Sequence, residues 1–391
     1  MIRSFLAASC LVAASSTQAI AVDIRIDWLE HRQIPPPILS NLQPDPLTLG
    51  IDGARLGLAD ISTTGKFTGH SYHIVTSVVA PEDDFIAAAR QAVNNGAQLL
   101  IVDAPTDDLL ALADMVAGRD VVIFNVSDSD DALRDAQCRS NVLHTTPSRR
   151  MRADALAQFL LWRRWDDLVM VAGTSPDDIA WADAMRAALH KFGLQIAAEK
   201  IWSFDANMRR AATAEVPLFT QALPDHDLML VADEAGDFAR YLAYNTWLAR
   251  PLAGSEGLQP VAWSDVVEQH GAAQLQNRFR EATGRAMRAD DFGAWAAVAA
   301  LGEAVTRTGS ADPAELRAYM LSDAFRLAGF LGTPLSFRDW NGQLRQPIPL
   351  VTERAVTALA PIEGFLHQFN ELDTLGADRP ESQCTSFKEP T

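Results

Sequence analysis

Leu99-Leu-Ile-Val-Asp-Ala-Pro-Thr-Asp-Asp108 is an unbroken apolar run that ends in an acidic turn and then continues with a helical pattern. Apolar runs of this length, each followed by a capped helix, are typical of parallel strands in βαβ units. Three further runs have the same form: Val121–Phe124, Leu168–Ala172 and Leu228–Val231. The repeated pattern predicts an α/β protein that is built on open parallel sheets.

The turns that follow these four runs are the predicted functional region. Ligands of open α/β sheets bind just outside the carboxyl ends of the strands, so we expect a ligand near these turns. The four turns contain eleven carboxylates and no Lys or Arg. The candidate ligand-binding residues within them are Asp103, Thr106, Asp107, Ser127, Asp128, Thr174, Ser175, Asp233 and Glu234.

Two interpretations of the acidic turns stay open. Carboxylates and hydroxyls at helix starts accept backbone hydrogen bonds, and Ser175 with Asp178 has the spacing of a capping box. Capping does not require Asp103, Asp128 or the Asp233–Glu234 pair. With no base beside them, these groups would favour a cationic ligand or a hard metal ion. The Asp-x-Asp-x-Asp-Gly pattern of a calcium loop does not occur, so no metal site is specified.

Charge and motifs exclude several functions. The formal net charge of −17 repels phosphate backbones, which argues against nucleic acid as a partner. No dinucleotide fingerprint, nucleophile elbow or His-Glu-x-x-His motif occurs, and the sequence predicts neither an enzyme nor a cofactor. The short basic run of Arg149, Arg150 and Arg152 is interpreted as a solvated helix face.

The first residues have the pattern of a secretory signal peptide over residues 1–21. Arg3 is followed by the apolar stretch Phe5–Ala14 and by a small-x-small cleavage site at Ala19-Ile-Ala21. Acylation at Cys10, as in a lipoprotein, is the alternative. Cleavage after Ala21 leaves two cysteines, and such a pair in an oxidising compartment is more often bridged than free. We therefore predict a disulfide between Cys138 and Cys384.

The 391 residues suggest two domains. A second βα series follows the first, and two such halves imply two lobes with a cleft between them. A helical segment and a hairpin around Trp340-Asn-Gly342 come last, which suggests that the chain crosses back to complete both lobes. The expected organisation is lobe 1 from residues 22–145 plus 272–328, lobe 2 from 146–264 plus 329–374, and a tail of 375–391.

Several segments resemble type I periplasmic solute-binding proteins of the branched-chain amino acid class. They include Arg278-Phe-Arg-Glu-Ala-Thr-Gly284 and Leu331-Gly-Thr-Pro-Leu-Ser-Phe337. More narrowly, Asp27-Trp-Leu-Glu30 and Cys138-Arg-Ser-Asn141 are similar to the ABC-transporter binding proteins of PQQ-dependent alcohol dehydrogenase systems. The acidic loop Asp103–Asp108 departs from the Ser/Thr loop that the amino-acid binders present.

The resemblance implies two hinged Rossmann-like lobes that close on a small molecule or an ion. It implies a periplasmic receptor that delivers this ligand to an ABC transporter permease and catalyses no reaction. It also adds Trp263 to the candidate ligand-binding residues. The alternative function is an accessory protein that docks on a periplasmic quinoprotein dehydrogenase and transports no solute.

Overall fold

The computed structural model describes residues 22–34, 45–202 and 208–387. The expected signal peptide and Cys10 lie outside the described residues. Within the described part of the chain, no helix is long and apolar enough to cross a bilayer.

The first lobe contains a parallel sheet of five strands in the order β2-β1-β3-β4-β5. Its strands are β1 (Asp23–His31), β2 (Ser71–Val79), β3 (Leu99–Asp103), β4 (Val122–Asn125) and β5 (Val142–His144). Helices α1 (Ile51–Thr68), α2 (Phe85–Asn94) and α3 (Thr106–Met115) connect the first four. The predicted α/β class is confirmed, and the two apolar runs quoted for this lobe are strands β3 and β4.

The second lobe repeats this design with four parallel strands in the order β7-β6-β8-β9. Its strands are β6 (Leu168–Ala172), β7 (Ile196–Ile201), β8 (Leu228–Ala232) and β9 (Leu252–Gly254). The helices are α4 (Arg149–Arg163), α5 (Pro176–Lys191), α6 (Met208–Thr220) and α7 (Ala239–Leu242). The pattern after β8 predicts a longer helix over 235–249. The structure keeps one turn of it, since the backbone leaves the helical conformation at Ala243 (ψ 126°) and Tyr244 is left-handed with φ of 66°.

The last third of the chain supplies both lobes. Helices α8 (Ala272–Thr283), α9 (Ala289–Thr308) and α10 (Pro313–Met320) pack in the first lobe. The strands that complete the chain are β10 (Gln259–Pro260), β11 (Ser336–Phe337), β12 (Leu344–Arg345), β13 (Ile348–Thr352) and β14 (Ala355–Ala360). Strands β11 and β12 form the predicted hairpin, while β10, β13 and β14 form a small antiparallel sheet.

The chain passes from the first core to the second at a later residue than expected. We placed residues 329–374 in the second lobe, yet Leu335, Phe337 and Leu344 pack in the first core. Ile348 and Leu350 belong to the second core. The hairpin of β11 and β12 therefore packs with the first lobe, and the chain reaches the second lobe only after it.

Helices α1 and α9 approach each other through glycines. A Cβ atom on Gly53 would lie 2.7 Å from the Cα of Asp291 and closer still to its carbonyl oxygen. One turn later, a Cβ on Gly57 would lie 3.1 Å from the carbonyl oxygen of Trp295. Because glycine has no side chain, α9 can pack directly against the backbone of α1. Helix α9 is buried on nearly all sides.

The predicted disulfide between Cys138 and Cys384 is present, with 5.6 Å between the two Cα atoms. It links the loop before β5 to the end of the described chain. Both cysteines are buried.

Candidate functional site

The carboxyl ends of the two parallel sheets meet at Arg149, the first residue of α4. Its guanidinium lies 3.8 Å from the carboxylate of Asp130, in the turn after β4 of the first lobe. The same group pairs with Asp177 at the start of α5 in the second lobe. The Arg149 side chain is only 11% exposed. Turns from both lobes therefore border one gap, which we call the cleft.

The first-lobe wall of the cleft contains a group of carboxylates that sequence reasoning found only in part. Asp103 ends β3, and parallel pairing places it beside Glu30 at the end of β1. Burial raises the pKa of Asp103 to about 6; a hydrogen bond from Ser127 opposes this, and the Glu30 charge adds to it. Asp290, in the first turn of α9, is the third member. Burial and the charge of Asp103 raise the pKa of Asp290 to about 7.

This arrangement predicts a pH-dependent stability. The pKa values of Asp290 and Asp103 are higher in the folded state than their ordinary value of 3.8. The folded state therefore loses stability relative to the unfolded state as pH rises from about 4 to about 7. We expect Asp290→Asn to stabilise the protein by about 1 kcal/mol at pH 8 and by much less at pH 5. Denaturant unfolding at the two pH values measures this difference. Asp107→Asn, at an exposed position of α3, is the control, and an equal effect of Asp290→Asn at both pH values would contradict the mechanism.

Thr106 and Asp128 are brought together by the fold. The Thr106 hydroxyl donates a hydrogen bond to Asp128 Oδ2 and does not cap its own helix, whose N-cap position is Pro105. The other oxygen, Asp128 Oδ1, accepts from the backbone of Asp130 at 2.8 Å, and Asn125 binds the Asp128 backbone. Both predicted residues therefore hold the turn after β4 in place at the first-lobe wall.

The second-lobe wall confirms capping at one predicted position. Ser175 and Asp178 form the capping box of α5, and Thr174 beside them is exposed. Asp233 is buried and accepts hydrogen bonds from the backbone N–H groups of residues 237, 238 and 239, at 2.7–2.8 Å. Ser175 and Asp233 thus shape turns, and Thr174 presents a hydroxyl to solvent.

We predicted acidic turns with no base beside them, and this prediction is wrong, because arginines of α4 pair with several of their carboxylates. Arg152 on α4 donates to Glu234 at 2.9 Å; although burial opposes it, this pair holds the pKa of Glu234 below its ordinary value. Arg149 neutralises Asp130 and Asp177 in the same way. The interpretation of the basic run as a solvated face is therefore wrong for these two arginines. Glu234, Asp130 and Asp177 thus have basic partners, whereas no ion pair with Asp103 or Asp290 of the first-lobe wall occurs among the described residues.

Trp263 does not face the cleft. Its side chain is 2% exposed and stacks on Phe292 of α9, with ring centroids 4.8 Å apart. Its indole N–H donates to Gln276 at 3.3 Å. The residue is part of the first core, which corrects its assignment as a ligand contact in this conformation.

No cluster suited to a metal ion occurs at the described cleft residues. The group that the described part of the chain offers is Asp166, Asp167 and Asp227, which precede β6 and β8 at the opposite end of the second sheet. The backbone N–H groups of Asp166 and Asp167 both donate to Asp227, so a turn explains this group without an ion.

Comparisons with known proteins agree with this architecture. A family model described as periplasmic binding protein matches residues 47–355. A branched-chain amino acid ABC transporter periplasmic ligand-binding protein from Burkholderia xenovorans is similar in structure, with a TM-score of 0.70 at 14% identity, covering 93% of this chain and 100% of its own. No curated protein sequence matches this chain significantly.

Two further similar structures contain ligands. One is an ABC transporter substrate-binding protein from Desulfitobacterium hafniense in complex with Leu, with a TM-score of 0.63 at 16% identity over 86% of this chain and 99% of its own. The other is a solute-binding protein from R. palustris in complex with benzoate, with a TM-score of 0.59 at 14% identity over 86% of this chain and 99% of its own.

Proposed function

Because this chain belongs to the periplasmic binding protein family, we propose that it binds a small solute in the cleft and delivers it to the permease of an ABC transporter. The observation that carries this proposal is the meeting of turns from both lobes at Arg149. Two lobes joined by crossing segments can close around a ligand by a hinge motion. The binding proteins that resemble this chain in fold carry solutes as different as Leu and benzoate.

We propose further that the solute carries an ammonium group, as an amine or an amino acid does. Among the described residues, no Lys or Arg forms an ion pair with Asp103 or Asp290, although their neighbours Glu30 and Asp291 are paired. A cation placed between Asp103 and Asp290 would relieve their mutual repulsion. Since these carboxylates do not gather around one point as metal ligands do, an organic cation suits them better than a metal ion.

A thermal-shift screen of the purified protein tests both proposals. The probes are alkylamines, amino acids, benzoate and Ca²⁺, since a solute that binds only the folded state raises the melting temperature. We expect a rise with an ammonium-bearing compound that is lost in the Asp103→Asn/Asp290→Asn variant and kept in Asp120→Asn, an exposed position before β4 at the other end of the sheet. A rise with benzoate or Ca²⁺ alone would overturn the ammonium assignment and leave the receptor function standing. No rise with any probe would count against the receptor.

Arg149→Ala is expected to weaken solute binding about tenfold, because the variant loses the ion pairs that connect turns of the two lobes across the cleft. Isothermal titration with a solute from the screen measures the change. Arg163→Ala is the matched control, since Arg163 lies in the last turn of the same helix and is exposed. An unchanged Kd in Arg149→Ala would show that the Arg149 ion pairs do not contribute to closure.

A second candidate is favoured by the segments Asp27–Glu30 and Cys138–Asn141, which are similar to binding proteins of PQQ-dependent alcohol dehydrogenase systems. We propose on this ground that the transporter serves periplasmic alcohol oxidation. Docking on the quinoprotein dehydrogenase itself, without solute transport, is the alternative. Co-purification of a dehydrogenase together with a silent solute screen would favour that alternative.

A further inference from the structure

Residues 376–387, which we call the strap, leave the second lobe and end on the first. On the second lobe, the backbone N–H of Gly376 donates to the buried Asp154 of α4 at 2.8 Å. Lys191 of α5 donates to the Gly376 carbonyl at 3.1 Å, and the preceding Leu375 is fully buried in the second core. The strap therefore begins at a fixed point of the second lobe.

The far end of the strap is fixed to the first lobe. Cys384 is bonded to Cys138 in the loop before β5. Ser386 donates a hydrogen bond to the Cys138 carbonyl at 2.9 Å. Phe387 packs against the first core, and the guanidinium of Arg317 on α10 lies 5.4 Å from its ring.

Between these anchors, residues 377–383 pass from the second lobe to the first. Arg379 pairs with Asp339 of the β11–β12 hairpin, and Glu381 pairs with Arg150 at 2.9 Å. Arg379, Pro380 and Glu381 are exposed, and beside its ion pair Arg379 stacks on the Trp340 ring, 5.0 Å from its centroid. A chain of seven residues spans at most about 25 Å when fully extended.

We propose that the strap is a covalent stop that limits how far the two lobes can move about their hinge. Surface ion pairs such as Arg379–Asp339 are worth little and can break as the lobes move. The disulfide does not break, so the length of residues 377–383 sets the limit. This inference rests on the hinge motion in the proposed function, and it makes the range of that motion depend on the oxidation state of Cys138 and Cys384.

Single-molecule energy transfer between dyes at Gln91 on α2 and Ala187 on α5 tests this proposal. Both positions are exposed, and non-canonical amino acids allow labelling that leaves the cysteines untouched. The first variant is Cys138→Ser/Cys384→Ser. The second keeps the disulfide but carries a Gly-Ser insertion, as long as residues 377–383, between Arg379 and Pro380. A third variant, Arg379→Ala, keeps both the disulfide and the length of the strap.

In the protein without solute, we expect the serine variant and the insertion variant to gain a population of lower transfer efficiency. The parent and Arg379→Ala should lack this population. If the serine variant broadens and the insertion variant does not, the disulfide stabilises one lobe and the strap is no stop. Identical distributions in all variants would also overturn the proposal. Neither result depends on a solute, so the solute screen tests the receptor function separately.

Discussion

Replacing Gly53 with leucine is expected to destabilise the protein by about 3 kcal/mol or more, at the upper end of the cost of overpacking. The atoms that a side chain would meet belong to the backbone of Asp291 in α9, so no rotamer change can make room. The two helices would have to separate, and buried residues of α9 such as Phe292 would lose their packing. Urea unfolding followed by circular dichroism measures the loss.

Ala59→Leu is the matched control for Gly53→Leu. Ala59 lies in the same helix on its exposed side, so the same side chain should change stability by less than about 0.5 kcal/mol there. Helix propensity favours leucine over glycine, so comparable losses in the two variants would mean that an added leucine side chain on α1, and not the contact of α1 with α9, is responsible.

Asp291→Asn is expected to destabilise the protein by about 3 kcal/mol, because it breaks a buried ion pair. The fully buried Asp291 pairs with Arg285 at 2.6 Å. It also accepts hydrogen bonds from the backbone N–H groups of Gly50 and Arg288, each at 3.0 Å. Because Arg285 donates through two N–H groups, the carboxylate accepts from four in all, two on each oxygen. An amide replaces one of these oxygens with a donor, so two N–H groups are left without an acceptor.

The adjacent Asp290→Asn is the sharpest comparison for this variant. The two carboxylates are neighbours in the chain and at the start of one helix, yet we expect opposite signs at pH 8. Denaturant midpoints of the two variants, measured in one buffer, give the answer. Destabilisation by both changes to the same extent would show that charge at the start of α9, and not its particular partners, determines the effect.

Strand existence was predictable from the sequence wherever the apolar run was long. Residues 99–102 and 168–172 have no polar interruption, and a buried parallel strand is the ordinary outcome of such a run. Strand β5, Val142–His144, has three residues, which is too few for a recognisable pattern of apolar residues. The short α7 could not be foreseen either, since the bonds from residues 237–239 to Asp233 form only once the turn is folded.

The position of the cleft could be predicted from the sequence, but the pairing of its carboxylates with arginines could not. Ser175 and Asp178 act on their own helix, so the local spacing was sufficient to find their capping box. Arg152 and Glu234 are 82 residues apart, and no local pattern joins them. Glu30, in contrast, could have been found, because it ends a strand as Asp103 does and parallel pairing places the two side by side.

The place of α9 in the first core also determines when that core can form. Strands β1 to β5 leave the ribosome early, but the helix that packs against α1 begins only at residue 289. Strands β6 to β9 and helices α4 to α7 are contiguous in the chain. The second core is nevertheless completed later still, by Ile348, Leu350 and Leu375. We therefore expect neither core to close during synthesis until the last third of the chain has been made.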